Sequence, residues 1–146
     1  KIAICPGAAV KAKRWKLNNF LEVAKFLKTK RFDPIFILGP NEKEMRLSIQ
    51  KTAGNFKIFE SNDPLKTITF SRNCSFGLSN DTGCGHLISA SGIPTLTIFG
   101  PTDAKKFLPI GNEKNAALSS QLNYKDKNIN KITPVEVIEK ISKWLT

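Results

Sequence analysis

Short runs of consecutive apolar residues alternate with helix-type segments along this chain, and that alternation constrains the fold more than any other feature. Strands that are apolar at every position are typical of a parallel sheet covered by helices on both faces, because neither face of such a strand meets water. The sequence therefore predicts an α/β fold, a Rossmann-like doubly wound parallel sheet of about six strands. The predicted strands are residues 2–5, 35–38, 56–59, 74–78, 94–99 and 116–118.

Capping residues predict where the helices begin. The predicted N-caps are Asn18, Asn41 with Glu44 in a capping box, Asp63 followed by Pro64, and Thr133 with Glu136 in a capping box. Leu65 and Ile68 are expected to face inward from the third helix. Residues 103–114 and the Asn- and Lys-rich residues 119–132 are predicted to be loops.

The polar stretch SNDTGCGH, residues 79–86, separates the fourth predicted strand from a short helical run of small residues. We call it the site turn. A polar, glycine-containing turn between a buried strand and a helix N-terminus is where α/β proteins bind ligands. The first N–H groups of that helix lack intrahelical partners and carry partial positive charge, so a phosphate is their natural ligand.

A second candidate segment is basic and follows the first strand. In a sheet with the strand order 3-2-1-4-5-6, strands one and four are neighbours, and the loops after them meet. Gly7, Lys13 and Arg14 of the first loop then lie near Thr82 and Gly83 of the site turn. Cations beside a helix N-terminus predict a diphosphate site.

Other candidate residues each carry two interpretations. Glu42, after the second strand, is a candidate for binding ribose hydroxyls, with Glu44 as its competitor. Asp81 suits sugar hydroxyls, or it caps the following helix. His86, the only histidine, lies on the first turn of that helix, where a role in the site competes with an ordinary structural one. Trp15 is interpreted as a core anchor for the basic loop.

Composition narrows the classes of function. With 146 residues and 40% hydrophobic composition, the chain suits one domain with a real core. No apolar run of about 18 residues predicts a transmembrane helix. GxGxxG, P-loop and metal-ligand patterns are absent, which argues against NAD, FAD and a metal. Three cysteines are expected to be free thiols in a reducing cytoplasm. Because the chain begins within a strand and without Met, we expect a fragment of a longer protein.

The net charge of +11 is concentrated near the N-terminus, where residues 1–31 hold nine Lys and Arg residues and one acid, Glu22. A basic face suits phosphate ligands, nucleic acid or an anionic membrane surface, while a solvated lysine-rich surface is an equal alternative. A basic nucleic-acid-binding module, or another nucleotide-binding Rossmann-like module, is therefore the alternative function. Most Phe residues fall at core spacing, which counts against the exposed aromatics that such binding needs.

Five segments together resemble the C-terminal half of family 9 glycosyltransferases, the heptosyltransferases of lipopolysaccharide core synthesis and their relatives. The resemblance covers nearly the whole chain, and residues 79–103 are its specific part. The segments are PGA at residues 6–8, KRW at 13–15, NDTGCGHL at 80–87, GIPT at 92–95 and FGPTD at 99–103. Lys16 and Cys84 stand where the family often has Pro, which leaves the subfamily open.

The resemblance implies the two-domain GT-B fold, with residues 1–146 as the nucleotide-sugar (donor) binding domain and the N-terminal acceptor domain absent from this chain. It implies metal-independent, inverting transfer from an ADP-sugar, with no metal or cofactor and no nucleic acid. The catalytic base and the lipid-linked saccharide acceptor are expected to belong to the absent domain, so the chain alone should be inactive. A cytoplasmic location, with peripheral contact to the anionic inner membrane, is the matching expectation.

The resemblance also assigns roles to residues of this chain. Lys13 is expected to contact the donor phosphate or sugar, and Glu42 the ribose. The site turn and its histidine are expected to contact the sugar and diphosphate. The full set of expected donor-binding residues is Gly7, Lys13, Arg14, Glu42, Asp81, Thr82, Gly83 and His86.

Overall fold

Six parallel strands form one sheet in the order β3-β2-β1-β4-β5-β6. The computed structural model describes residues 1–145. The strands are β1 Ile2–Cys5, β2 Pro34–Leu38, β3 Lys57–Glu60, β4 Phe76–Asn80, β5 Thr95–Phe99 and β6 Ala116–Ser119. Both the predicted Rossmann-like fold and the predicted strand order are confirmed. β1 and β4 are therefore neighbours, and the loops that follow them leave the same edge of the sheet.

Helices cover both faces of this sheet. They are α1 Leu17–Thr29, α2 Lys43–Lys51, α3 Pro64–Ser71, α4 Gly83–Ala90, α5 Ala104–Phe107, α6 Ser120–Tyr124 and α7 Pro134–Ser142, with 3₁₀ turns at Lys11–Lys13 and Ile129–Lys131. Side chains of β1 alternate between two buried clusters. Ile2 and Ile4 pack in the larger cluster with α1 and α7, while Ala3 and Cys5 pack in the smaller one with α4. This two-sided burial explains why the strand is apolar at every position.

Two predicted helix starts are wrong. Asn18 lies inside α1, whose N-cap is Lys16, and the Lys16 N–H is satisfied by the side-chain oxygen of Asn130 at 3.0 Å. No side chain caps the first turn of α1, and the contact from Asn130 satisfies only the N–H of the N-cap residue itself. Asn41 precedes α2 without capping it, because Glu42 holds the N-cap position and no side chain completes a capping box there.

The other two helix starts are confirmed. The Asp63 carboxylate accepts the Leu65 N–H at 2.9 Å, with Pro64 in the first turn. The capping box of α7 is complete. The inward face of α3 differs from the prediction, because Leu65 is 73% exposed while Thr67 and Ser71 are buried.

The two predicted loops contain short helices. α5 lies within residues 103–114, and α6 and a 3₁₀ turn lie within residues 119–132. Asp103 and Ser119 cap the two helices by accepting backbone N–H groups two or three residues ahead. These helices are too short and polar to show the apolar periodicity from which a helix is predicted. Among residues 1–145, no helix combines the length and apolarity needed to cross a membrane.

The capping box of α7 makes the stability of this domain depend on pH. Partial burial works to raise the pKa of Glu136, but hydrogen bonds from Thr133, Tyr124 and Asn123 outweigh it and hold that pKa below its ordinary value of 4.5. A carboxylate with a depressed pKa stabilises the fold above its unfolded pKa and loses that contribution as pH falls through the folded value.

We expect Glu136→Gln to lower the free energy of unfolding at pH 7, because it loses the charge-assisted hydrogen bond from the Thr133 N–H, which is 2.7 Å long. The difference from the parent chain should shrink as pH falls below about 4.5. Urea unfolding at a series of pH values measures it. Glu139→Gln, an exposed change on the same helix, is the control. A pH-independent difference at Glu136 would contradict the prediction.

Candidate functional site

A buried asparagine joins the loops after β1 and β4. Asn80, the last residue of β4, has no exposed surface. Its amide Nδ2 donates to the carbonyl oxygen of Pro6 at 2.9 Å, and its Oδ1 accepts the N–H of Trp15 at 3.1 Å. Both ends of the basic loop, residues 6–15, are therefore held against the start of the site turn. The role of Asn80 in fixing this loop was not predicted from the sequence, where Asn80 was considered only as part of a motif.

Trp15 is the anchor that was predicted for the basic loop. Its side chain is 1% exposed and packs edge-on against Phe20, with ring centroids 5.0 Å apart. Its indole Nε1 donates to the carbonyl oxygen of Ile132 at 2.8 Å. The ring thus contributes apolar burial while its one polar atom is satisfied, as buried indoles require. Trp15 consequently fixes the loop bearing Lys13 and Arg14 in two ways, through its backbone N–H to Asn80 and through its indole to Ile132.

An acid and a cation predicted separately form an ion pair at this edge of the sheet. The Nζ of Lys13 lies 3.3 Å from Oδ2 of Asp81, and the hydroxyl of Thr102 donates to the same oxygen at 2.7 Å. Asp81 is 8% exposed, whereas Lys13 is 29% exposed. The carboxylate is thus held in place from two sides, and the ammonium keeps a face toward solvent.

Thr102 was not among the predicted site residues, although it lies in the turn that ends β5. Gln121 of α6 holds that turn, because its Nε2 donates to the carbonyl oxygens of Gly100 at 2.9 Å and Thr102 at 3.3 Å. A hydrogen-bonded path therefore runs from α6 through the β5 turn to Asp81 and Lys13. The tight polar turn after a buried strand was the available signal in the sequence.

Thr82, rather than Asp81, caps α4. The Thr82 hydroxyl accepts the Gly85 N–H at 3.2 Å, so the capping alternative for Asp81 is wrong. Gly83 is the exposed first residue of the helix. Gly85 lets the helix begin directly above β4, since a Cβ there would overlap the Ser79 hydroxyl. The N-terminal end of α4, with its partial positive charge, thus lies beside the Lys13–Asp81 pair.

A cleft of about 270 Å³ opens between the loops after β1, β2 and β3 and the start of α4. Its lining includes Gly7, Glu42, Ser61, Thr82 and Cys84, with apolar walls contributed by β2 and α4. A second cleft of about 430 Å³ lies on the other side of Glu42. We call these the inner and outer clefts.

Glu42 forms the boundary between the two clefts. Its Oε2 accepts the Gly39 N–H at 2.9 Å, and its carboxylate lies against Gly7, where a Cβ would overlap it. A side chain at position 7 would therefore force the Glu42 carboxylate to move from this position. Glu44 lines only the outer cleft and is exposed, so the structure brings Glu42, and not its competitor, against the β1 turn.

Of the predicted donor-binding residues, Gly7, Glu42 and Thr82 line the inner cleft, and the other five, Lys13, Arg14, Asp81, Gly83 and His86, do not. Arg14 lines the outer cleft, and its Nε donates to the carbonyl oxygen of Ala8 at 2.6 Å. His86 is exposed on α4 and lines neither cleft. Within residues 1–145, no group of three or more His, Cys, Asp or Glu side chains is placed to hold a metal ion.

Comparison with known proteins identifies the family. The model of glycosyltransferase family 9 (heptosyltransferase) matches residues 1–135. The chain belongs to this family. Among curated relatives of this family 9 chain are the lipooligosaccharide heptosyltransferases 2 of Campylobacter jejuni and Haemophilus influenzae. They are 32% and 24% identical over 80% and 77% of this chain.

Solved structures show the same fold. E. coli ADP-heptose heptosyltransferase II superposes on 99% of this family 9 chain with a TM-score of 0.83 at 22% identity, and E. coli heptosyltransferase WaaC with ADP superposes on 98% with a TM-score of 0.85 at 18% identity. The chain spans 38% of the Campylobacter relative, 34% of the Haemophilus relative, and 46% and 43% of these two structures. The predicted match to one Rossmann-like half of a GT-B glycosyltransferase is confirmed.

Removing the Asn80 amide should destabilise this family 9 domain more than an ordinary surface change does. Asn80→Ala loses two hydrogen bonds and leaves a buried carbonyl and N–H unpaired, which we expect to cost about 2–4 kcal/mol of the free energy of unfolding. Urea denaturation followed by circular dichroism measures it. Asn18→Ala, an exposed helical position, is the matched control. Equal unfolding midpoints for the two variants would refute the anchoring role.

Proposed function

We propose that this chain is the donor-binding domain of a metal-independent, inverting glycosyltransferase that uses an ADP-sugar. In the whole protein, heptose or a related sugar would pass from that donor to a lipopolysaccharide-type, lipid-linked acceptor. The observation that carries the proposal is the placement of the Lys13–Asp81 pair beside the N-terminus of α4, at the switch point between β1 and β4. Open α/β sheets bind nucleotides at this point.

The diphosphate would lie between Lys13 and the first turn of α4. Inverting transfer leaves a nucleoside diphosphate, so negative charge grows on the phosphate oxygens as the bond to the sugar breaks. A lysine ammonium and the N–H groups of a helix N-terminus stabilise that charge without rearranging, which lowers the barrier. The proposal that no metal is needed rests on these two sources of positive charge.

Asp81 suits the sugar better than the phosphates, because a carboxylate repels an anion. Lys13 and Thr102 both contact its Oδ2. Its Oδ1 is then the acceptor that we assign to a sugar hydroxyl. Asp81 would also set the position of the Lys13 ammonium, which makes one ion pair serve both parts of the donor.

The nucleoside would occupy the inner cleft. Glu42 lies at its rim and presents a carboxylate to ribose hydroxyls, while Ile37, Leu38 and Leu87 offer apolar surface to the base. The choice of adenine rests on the solved relatives, which are described with ADP and with ADP-2-deoxy-2-fluoro heptose. We place the catalytic base and the acceptor site in the part of the protein outside this chain.

Calorimetric titration of the chain with ADP, UDP, GDP and NAD, each with magnesium and with EDTA, tests the proposal. We expect ADP to bind with the same affinity in both buffers, because protein cations take the place of a metal. UDP, GDP and NAD should bind more weakly. Binding of ADP that vanishes in EDTA would refute metal independence, and equal binding of all four ligands would refute the adenine assignment.

Two variants, each of which replaces one charged side chain with an uncharged one of similar size, separate the proposed roles of the ion pair. Lys13→Met should weaken binding of both ADP and ADP-heptose by about 1–3 kcal/mol, the scale of a lost charge-assisted hydrogen bond. Asp81→Asn should weaken ADP-heptose more than ADP, since ADP lacks the sugar and is affected only through the position of Lys13. Isothermal titration with both ligands measures the difference.

Lys11→Met is the matched control, because it removes the same charge from an exposed position in the same 3₁₀ turn. A loss of ADP affinity as large in this control as in Lys13→Met would mean that general attraction to a basic surface, rather than a specific contact, explains binding.

A further inference from the structure

Two cysteines face each other beneath the inner cleft. Cys5 ends β1 and points to the same face of the sheet as Ala3. Cys84 is the second residue of α4 and lies one helical turn before Ile88, so both project toward that face. Cys5, Ile88 and Cys84 pack in one cluster, and both cysteines line the inner cleft.

The two thiols differ in exposure, and this difference gives each a distinct role. Cys5 is buried, whereas Cys84 is only partly buried and can be reached from the cleft. The neighbouring Cys84 thiol and burial raise the pKa of the Cys5 thiol well above its ordinary value of 9.0, so Cys5 is not the thiol that an oxidant attacks first. An oxidant entering the cleft therefore meets Cys84 first, and Cys5, in the same side-chain cluster and lining the same cleft, is its resolving partner.

Cys74 is excluded from this pair by the sheet. Cys5 lies beside Ser79 in the β1–β4 register, and Cys74 precedes Ser79 by five residues. At about 3.3 Å per strand residue it lies roughly 16 Å away, beyond the reach of a disulfide. The chain thus carries one pair of adjacent thiols and one isolated thiol, which provides an internal control.

We propose that Cys5 and Cys84 form a reversible disulfide that closes the donor cleft. With hydrogen peroxide as oxidant, the Cys84 sulfur takes one peroxide oxygen to give a sulfenic acid, and water leaves. The Cys5 sulfur then attacks the sulfenic sulfur, the S–S bond forms, and the sulfenic oxygen departs as a second water with the Cys5 proton. Two thiols are oxidised while one peroxide is reduced to two waters.

The disulfide would narrow the inner cleft because Cys5 ends β1 and Cys84 lies in the first turn of α4. A disulfide holds its sulfurs about 2.05 Å apart, closer than two free thiols in contact. Forming it draws the first turn of α4 toward the end of β1, which Gly83 and Gly85 on either side of Cys84 permit. Gly7 and Thr82 belong to these two segments, so the proposed diphosphate position narrows. This second step rests on the proposed function.

The first test measures the disulfide without reference to any ligand. The 146-residue chain is treated with hydrogen peroxide and its intact mass is recorded, and dithiothreitol is added to reverse the reaction. We expect loss of the mass of two hydrogen atoms in the parent chain and in Cys74→Ser, and no such loss in Cys5→Ser or Cys84→Ser. Persistent thiols, or oxygen addition at Cys84 alone in Cys74→Ser, would overturn the proposal.

Peptide mapping of Cys74→Ser keeps the test independent of how the other variants fold. Trypsin leaves Cys74 and Cys84 on one peptide, residues 73–105, so the variant removes the ambiguity. A cross-linked peptide joining residues 2–11 to residues 73–105 supports the pair. A cross-link between two copies of the chain, seen as a dimer mass, overturns it.

The second test measures closure by titrating ADP into reduced and oxidised Cys74→Ser. We expect oxidation to weaken ADP binding about tenfold, and dithiothreitol to restore it. Unchanged affinity in protein that carries the disulfide would overturn the closure step. If the reduced chain does not bind ADP at all, the proposed function fails, while the mass measurement still decides whether the thiols pair.

Discussion

The buried amide of Asn80 is the interaction on which the candidate site depends. A primary amide without exposed surface costs stability unless its donors and acceptor are satisfied, and here they are satisfied by backbone groups at both ends of the basic loop. Neighbouring strands bring the loops near one another, and this pair of bonds fixes the loop against the start of the site turn. The position of Lys13 relative to Asp81 is a consequence.

The polar and charged groups of the site are joined in one network of hydrogen bonds and an ion pair. Gln121 positions the β5 turn, Thr102 of that turn donates to Asp81, and Asp81 pairs with Lys13. Each member follows a different strand of the sheet, so the system exists only when the sheet is assembled. Asp81 is 8% exposed and Lys13 is 29% exposed, so the Lys13 ammonium is the group of this pair that can contact a phosphate. This asymmetry gives physical support to the roles that we propose for the two residues.

The proposed donor-binding site and the Cys5–Cys84 pair lie at the same cleft. Cys84 lies in the first turn of the helix to which the diphosphate is assigned, and Cys5 ends the strand whose loop carries Gly7. Oxidation chemistry and donor binding would therefore share the inner cleft. If both proposals hold, formation of the Cys5–Cys84 disulfide changes donor binding through a bond made inside the inner cleft.

The architecture of this domain could be predicted from the sequence alone. Continuous apolar strands, Pro and Gly at their ends and helices between them specify a covered parallel sheet, and the order of that sheet brings Lys13, Asp81 and Thr82 together. Helix starts with local caps, at Asp63 and Thr133, were also predictable, because the capping atoms lie within three residues of the N–H groups that they accept.

Tertiary structure decided what depends on residues far apart in the chain. Asn80 meets Trp15 across 65 positions, and Trp15 meets Ile132 across 117. Other contacts of the same kind are the hydrogen bond from Lys16 N–H to Asn130, the hydroxyl of Thr102 on Asp81, the placement of Glu42 against Gly7 and the proximity of Cys5 and Cys84. Local sequence encodes backbone preference and burial pattern, whereas hydrogen bonds between loops follow from how the closed sheet places them.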